Sequence, residues 1–257
     1  MNNHSFPNLV PCALDLLPVE PLPAPHFLHT LNCLSPADHS DVMLLQARFD
    51  LTQFDNALFA ACKIPFPESL NKAVNKRRAE YLASRLCVRH AVSQLGIEDF
   101  LLANDCDRAP IWPQGITGSL SHTHHCISLL LAKTTSGKIL GVDCEQVMKH
   151  QTAQEMQSMI VTAQEMAVLR HSGLPFATAL TVAFSLKESL YKALFPQLRQ
   201  FMNFDAAEIV RCTPNAEQVT LRLTHTFAGG FTAGRAFSGR VLVEQDEVLS
   251  WIIDATT

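Results

Sequence analysis

The sequence predicts a mixed fold of long helices and antiparallel strands, and three stretches carry this prediction. Residues 69–96 have the apolar spacing of one long helix, with Ser69 as its N-cap and Gly96 as its C-terminal stop. Residues 127–142 contain two apolar runs separated by a polar turn, which is typical of two consecutive strands. Residues 205–254 alternate between apolar and polar side chains, as antiparallel strands do when one face is solvated.

Length and composition limit the class of protein. The chain has 257 residues, of which 47% are hydrophobic and 17% charged, which suits one large domain or two smaller ones. A formal net charge of −4 gives no basic field, so no nucleic-acid partner is expected. No apolar run approaches the roughly 20 residues of a membrane span, and the N-terminus lacks the pattern of a signal peptide. The eight cysteines include no C-x-x-C pair, which predicts reduced thiols and a cytoplasmic location.

The N-terminal segment has no helical pattern. Six prolines lie between residues 7 and 25, and they predict extended or irregular chain that forms a strap across a domain. Residues 27–60 mix short apolar runs with polar breaks, which favours a strand followed by a helix.

The helix predicted over residues 69–96 carries arginines in unusual places. At about 100° per residue, Arg78, Arg85 and Arg89 fall between two sets of apolar side chains rather than on the polar face. A charge within an apolar face is costly unless it is paired. These arginines therefore either pair with acids of a neighbouring element or line a cleft for an anion. Arg77 lies at the edge of the same arc.

A proline-rich loop over residues 107–113 precedes a segment of small and hydroxyl-bearing residues, 115–123. Small residues around His122 would let backbone N–H groups and an imidazole approach an anion. His122, His124 and Cys126 would share one face of a strand, which favours packing over a zinc site.

Two acids follow the second apolar run, in the sequence G-V-D-C-E over residues 141–145. Along a strand, Asp143 and Glu145 would point to one face and Cys144 to the other. Neighbouring carboxylates repel each other unless a cation lies between them, and a hard ion such as Mg2+ suits such a pair. From this segment alone, two solvated acids at a strand end are an equally good interpretation.

A second acidic position lies in the sequence F-S-L-K-E-S-L-Y-K-A-L, residues 184–194. Ser185 and Glu188 have the spacing of a capping box, and Glu188 and Lys192 that of a helical ion pair. Together these would stabilise a helix by roughly 1 kcal/mol and would need no function. Alternatively, Glu188 and Lys192 point at a bound phosphate and its metal ion.

Four blocks in order give the chain a resemblance to the 4′-phosphopantetheinyl transferases, specifically to their surfactin-synthetase and enterobactin-synthase branch. The blocks are residues 77–89, 108–123, 141–145 and 184–193, which together span about half of the chain. Each block is weak by itself, but their order is specific. Residues 1–65 and the C-terminal strands carry no matching motif.

The resemblance implies an α+β fold of two similar halves, with antiparallel sheets and one long helix in each half. Residues 1–138 would form the N-terminal half, with the contacts to the phosphates and adenine of coenzyme A. Residues 139–257 would form the C-terminal half, with the metal-binding acids and the catalytic helix. The site would lie in the crevice between the halves, and the hinge near residue 138.

The implied activity is transfer of the 4′-phosphopantetheine arm of coenzyme A to a serine of an apo acyl, peptidyl or aryl carrier protein, with release of 3′,5′-ADP. It would depend on Mg2+, with Mn2+ as a substitute, and would serve siderophore or secondary-metabolite synthesis. The family expectation is a monomer. Two alternatives stay open: a non-catalytic coenzyme A- or carrier-binding homologue, and an unrelated metal-dependent hydrolase.

In the C-terminal half, the resemblance implies that Asp143, Glu145 and Glu188 bind the metal. Glu188 would also act as the general base, and Glu165 or a water molecule is the alternative base. Two lysines would contact phosphate groups: Lys192 would stabilise the departing 3′,5′-ADP, and Lys187 would contact a phosphate.

In the N-terminal half, the resemblance implies that Ser121 and His122 hold the nucleotide phosphates. Four arginines would surround the 3′-phosphate and the adenine: Arg77, Arg85, Arg89 and Arg108. The family spacing favours Arg77 at the phosphates, whereas the helical geometry favours Arg78, and this choice stays open. Cys144 departs from the family, in which the position is often aliphatic, but it should face the core as a small apolar residue.

Overall fold

The computed structural model describes residues 8–12, 14 and 24–256, so most of the strap predicted for residues 1–25 lies outside the described part. The chain divides into two compact units, Met1–Ser136 and Gly137–Thr257, which we call unit 1 and unit 2. Each unit contains a five-stranded antiparallel sheet and one long helix, which confirms the α+β class.

Unit 1 contains strands and helices in this order: β1 (Leu9–Pro11), β2 (Leu28–Pro36), β3 (Val42–Phe49), α1 (Ala57–Ala61), α2 (Asn75–Gln94), β4 (Ala103–Asn104), β5 (Pro110–Ile111), β6 (Ile116–His122) and β7 (Cys126–Lys133). Its sheet has the strand order β1-β2-β3-β7-β6, and β4 pairs with β5 separately. Helix α2 packs against β3, β6 and β7, so its buried face forms the core of this unit with the sheet.

Helix α2 differs from its prediction at the N-terminus and in its buried face. It begins at Asn75, because Ser69 belongs to a separate short 3-10 helix, and Ser69 is therefore not its N-cap. Gly96 follows the helix with a φ of +85°, the left-handed conformation of a C-terminal stop, as predicted. Helical spacing places Val74 on the apolar face and Ala83 on the polar face, but Val74 is 71% exposed and Ala83 is buried. The helix is buried on more sides than expected because the segment before it packs against it as well as the sheet.

The two strands predicted within residues 127–142 are present, but they do not pair with each other. Strand β7 lies between β3 and β6 in the sheet of unit 1. The following strand, β8 (Lys138–Gln146), is an edge strand of the sheet of unit 2 and pairs with the C-terminal strand of the chain. A short 3-10 turn, Thr134–Ser136, separates them.

Unit 2 continues from β8 with α3 (His150–Ile160), α4 (Ala163–Leu169), α5 (Phe176–Leu198), β9 (Ala207–Cys212), β10 (Gln218–Leu223), β11 (Ala236–Glu244) and β12 (Glu247–Ala255). Its sheet has the strand order β8-β12-β11-β10-β9. The four final strands confirm the antiparallel pattern predicted for residues 205–254.

The capping box predicted at Ser185 and Glu188 is wrong. Helix α5 begins at Phe176, so both residues lie in its middle, where no free N-terminal amides need a cap. Residues 178–184, an apolar run in the sequence, belong to the first half of this helix and are not a separate element. A capping box does occur at α4, where Thr162 and Glu165 exchange the two reciprocal hydrogen bonds.

Helix α5 lies unusually close to β8 at Gly141. A Cβ atom at this glycine would overlap the carbonyl oxygen of Ser189 and lie 2.9 Å from the Cβ of Ala193. On the same face of α5, the Ser185 and Ser189 hydroxyl groups each lie 2.8 Å from the Ser250 hydroxyl on β12. The small side chains on this face let the helix approach the strand that carries Asp143.

All eight cysteines are free thiols, as predicted. Within the described residues, no helix is both long and apolar enough to cross a membrane.

Candidate active site

In unit 2, the structure brings together side chains from β8 and α5. Asp143 is 2% exposed, and its Oδ1 atom lies 2.6 Å from the ammonium nitrogen of Lys192. Burial disfavours the charge on Lys192, but the Asp143 carboxylate outweighs this effect and raises the lysine pKa. Lys192 also favours ionisation of Glu188, one turn earlier on the helix. The lysine thus acts on both acids, whereas the helical spacing predicted only its pairing with Glu188.

The third acid, Glu145, belongs to the same electrostatic environment. Burial and the neighbouring charges of Asp143 and Glu188 raise its pKa to about 7, against the opposing influence of Lys192. The pKa of Glu188 is also raised, first by burial and then by Asp143. Cys144, between the two strand acids, is buried as expected. The charges of Asp143 and Glu188 therefore both disfavour ionisation of Glu145, and Lys192 opposes them.

These carboxylates have the chemistry that a hard divalent cation prefers, because all three supply oxygen ligands. Among residues 8–12, 14 and 24–256, no three His, Cys, Asp or Glu side chains are already arranged as metal ligands. At Asp143, the ammonium group of Lys192 supplies a positive charge at 2.6 Å. Burial, and then the charges of Asp143 and Glu188, raise the pKa of Glu145; a divalent ion would compensate both effects, so the donor set fits such an ion.

The raised pKa of Glu145 predicts an unusual pH dependence of stability in the metal-free protein. Between its ordinary value of 4.5 and about 7, the folded state holds a proton that the unfolded state has lost. Glu145 therefore contributes to the stability of the folded state below pH 4.5, and this contribution is lost as the pH rises toward 7. We expect the melting temperature of the chelator-treated wild type to fall more steeply over this range than that of Glu145→Gln. Parallel melting curves with equal slopes would contradict the prediction.

Lys187 precedes Glu188 on α5 but has different partners. Its ammonium nitrogen lies 2.6 Å from Glu165 Oε1 and donates to the carbonyl oxygens of Ile160 and Phe204 at 2.8 and 2.9 Å. The side chains of Lys187 and Glu165 are each only 4% exposed. The structure therefore places the predicted phosphate contact and the alternative base together in the interior.

In unit 1, one of the predicted arginines meets the predicted histidine. Arg77 Nη1 lies 3.2 Å from His122 Nε2, which must accept the hydrogen bond because a guanidinium has no acceptor. Glu80 Oε2 lies 3.5 Å from Arg77 Nη1 and 3.9 Å from His122 Nδ1. The sequence reasoning missed Glu80, although its position three residues after Arg77 is a signal for such a contact. Ser121, just before the histidine on β6, is buried.

Arg77 and Arg78 have different environments. The Arg78 side chain donates to the carbonyl oxygens of Leu70 and Asn71 at 3.1 and 2.9 Å, and it lies over the Phe66 ring. It thereby holds the segment before α2. The Arg77 side chain is 57% exposed, which leaves it accessible to an anion. The geometry therefore favours Arg77 over Arg78 as a phosphate contact.

The other arginines predicted for the site donate mostly to carbonyl and amide oxygens rather than to acids. Arg85 is buried and donates to the Leu102 carbonyl and to Asn104 Oδ1, at 3.3 and 2.5 Å. Asn104 in turn donates to the carbonyl oxygen of Arg108, at 2.6 Å, so Arg85 supports the turn that presents Arg108. From the sequence, these arginines were expected either to pair with acids or to line a cleft for an anion. Hydrogen bonds to backbone oxygens were not among these alternatives.

Arg89 lies apart from Arg77 on the same helix. It donates to the Cys62 carbonyl oxygen at 2.8 Å. The two arginines are twelve positions apart, or about 18 Å along the helix axis. Within unit 1, Arg77 and His122 are therefore brought together, whereas Arg89 faces a different part of the chain.

Two family models match the chain, one in each unit. The 4′-phosphopantetheinyl transferase N-terminal domain matches residues 66–132, and the 4′-phosphopantetheinyl transferase superfamily matches residues 139–239. Enterobactin synthase component D of Salmonella typhi is 38% identical over 184 residues, covering 70% of this chain and 75% of the relative. The 4′-phosphopantetheinyl transferase Svp of Streptomyces mobaraensis is 30% identical over 181 residues, covering 68% and 71%. The 4′-phosphopantetheinyl transferase Npt of Nocardia iowensis is 30% identical over 141 residues, covering 54% and 61%.

Proposed function

Because the chain belongs to the 4′-phosphopantetheinyl transferase superfamily, we propose that it transfers the 4′-phosphopantetheine arm of coenzyme A to a serine of an apo carrier protein. The other product is 3′,5′-ADP. The observation that carries the proposal is the grouping of Asp143, Glu145 and Glu188 with Lys192 in unit 2. A non-catalytic binding homologue would not need three acids that destabilise one another.

Asp143, Glu145 and Glu188 are the residues that would hold Mg2+, or Mn2+ in its place. When bound, the ion would neutralise diphosphate charge and make the phosphorus more electrophilic. Glu188 accepts the proton of the attacking serine hydroxyl, directly or through a water molecule. In the metal-free protein, burial and the charge of Asp143 raise the pKa of Glu188, against the opposing influence of Lys192.

Lys192 has two roles in this proposal. In the free enzyme it compensates the charge of Asp143, at 2.6 Å. With a cation held by the three acids, the ammonium group of Lys192 would be available to stabilise the negative charge on the departing 3′,5′-ADP. While Lys192 lies beside Asp143, that carboxylate raises its pKa against the effect of burial.

For the N-terminal half, residues 1–138, we propose the contacts to the phosphates and adenine of coenzyme A. Arg77 and His122 bind the phosphate, because the exposed guanidinium already contacts the imidazole. Ser121 supports them from the same strand. Residues 139–257 supply the acids and the catalytic helix. The exposed Arg108 contributes positive charge, whereas Arg85 and Arg89 act through the segments to which they donate.

Mass spectrometry of an apo carrier protein tests the proposed reaction. Incubation with coenzyme A, Mg2+ and the enzyme should add the mass of the arm to the carrier, and a chelator should prevent the gain. Transfer of the arm would exclude the non-catalytic alternative. Turnover of coenzyme A without a carrier, together with bound zinc, would instead support a hydrolase. No mass gain with acyl, peptidyl and aryl carriers would contradict the proposal.

The type of carrier protein and its pathway are a further proposal, which rests on the names of the relatives. The name of the Salmonella typhi relative refers to enterobactin synthesis, and on this basis we propose a carrier of a siderophore or another secondary-metabolite pathway. The cytoplasmic location and the monomeric state stay predictions.

A further inference from the structure

We propose that Lys187 and Glu165 are a pair of positioning residues that hold the middle of α5 in the rotation required by Glu188. In this role Lys187 is not a phosphate contact and Glu165 is not an alternative base. The inference rests on the proposed function, because it concerns how the proposed base is oriented.

The hydrogen bonds of Lys187 leave no donor for a substrate. An ammonium group has three N–H donors, and three protein oxygens lie around it. These are Glu165 Oε1 at 2.6 Å and the carbonyl oxygens of Ile160 and Phe204 at 2.8 and 2.9 Å. With its side chain 4% exposed, Lys187 could reach a phosphate only by leaving Glu165 as an unpaired buried carboxylate.

Glu165 is equally occupied. Besides Lys187, its Oε1 atom accepts from the backbone N–H of Ile209 at 3.0 Å, and its Oε2 atom accepts from that of Thr162 at 2.8 Å. The Thr162 hydroxyl accepts in return from the Glu165 N–H, which completes the capping box of α4. A carboxylate with these partners and a side chain only 4% exposed is shielded from an attacking serine.

The pair therefore connects α5 to four other parts of unit 2. These are the end of α3, the start of α4, the segment at Phe204 and strand β9. Consecutive side chains on a helix point about 100° apart, so an anchor at Lys187 determines the direction of Glu188. Another face of α5 rests on β8 at Gly141. Contacts on two faces prevent the helix from rotating about its axis.

Substitution of the pair separates positioning from substrate binding. We expect Lys187→Met to lower kcat by about 100-fold, the effect of a displacement of about 1 Å at a reacting group, with the KM for coenzyme A within about twofold of wild type. A double variant, Lys187→Met with Glu165→Leu, removes both charges of the buried pair. We expect it to regain at least about tenfold of the lost kcat, because apolar side chains of similar volume replace a buried ion pair well.

Several outcomes would overturn the inference. One is a KM for coenzyme A raised about tenfold or more in Lys187→Met at unchanged kcat, as expected for a lost phosphate contact. Another is a folded double variant that transfers no faster than Lys187→Met. If Lys187→Met does not fold, the double variant is compared directly with wild type: kcat within about tenfold supports the inference, and a larger loss overturns it. Lys149→Met, at an exposed lysine on the N-terminal side of α3, should match wild type and is the control.

Failure of the proposed function would be recognised separately. It would appear as an inactive wild type, before any variant is compared. The positioning pair would still be testable then by amide hydrogen exchange. The N–H groups of Ile209 and Thr162 should exchange at least about tenfold faster in Glu165→Leu than in wild type, because both lose their acceptor. Unchanged exchange at both amides would overturn the inference.

Discussion

Replacing Glu188 with glutamine is expected to lower kcat for arm transfer by about 1000-fold or more, with little change in melting temperature. Loss of a general base alone typically lowers the rate by about 100- to 10,000-fold, and the same carboxylate is proposed to bind the metal ion. Glutamine preserves the size of the side chain. It also removes one of the charges that raise the pKa of Glu145, so the fold should not suffer.

Transfer to an apo carrier, followed by mass spectrometry over time, measures this effect. Glu155→Gln is the matched control, because Glu155 is an exposed acid on α3 of the same unit. Titration with Mg2+ separates the two roles: a saturating ion should restore only the part of the loss that reflects weaker metal binding. An activity within about tenfold of wild type would mean that Glu188 is not the base.

The sequence predicted the types of residue at this site better than their contacts. Alternation along β8 placed Asp143 and Glu145 together, and the structure gives them a common electrostatic environment. The contact of Lys192 with Asp143 was missed, because the two residues are 49 positions apart in the chain. Helical spacing describes neighbours within one turn, and it predicted Glu188 as the only partner.

The wrong predictions also have a physical cause. The apolar positions of α5 cover most of its circumference, so the first half of the helix has no polar face by which it could be recognised. Its beginning was therefore placed at Ser185, where a capping pattern occurs by coincidence. The interior position of Lys187 was unpredictable for a related reason: its acceptors are backbone oxygens of α3 and of the segment before β9, which sequence patterns do not reveal.

Of the substitutions considered, we expect the one at Gly141 to cause the largest loss of stability. Replacing it with alanine should lower the free energy of unfolding by about 3 kcal/mol or more, because the new methyl group meets backbone atoms of α5. Either the helix moves away from β8 or the strand bends, and both changes break packing in the core of unit 2. The close contact with α5 thus explains why residue 141 of the G-V-D-C-E block is a glycine. It does not explain the two acids of the same block.

Gly239→Ala is the control for this prediction. A methyl group there would meet Cδ2 of Leu186, the flexible end of a side chain, which can change its conformation. Its loss of stability should be smaller, about 1 kcal/mol, in urea unfolding of both variants. Equal losses would show that β8 and α5 are not held in backbone contact. Because this contact brings Asp143 to Lys192, Gly141→Ala should also lose transfer activity at temperatures where it remains folded, whereas Gly239→Ala should retain it.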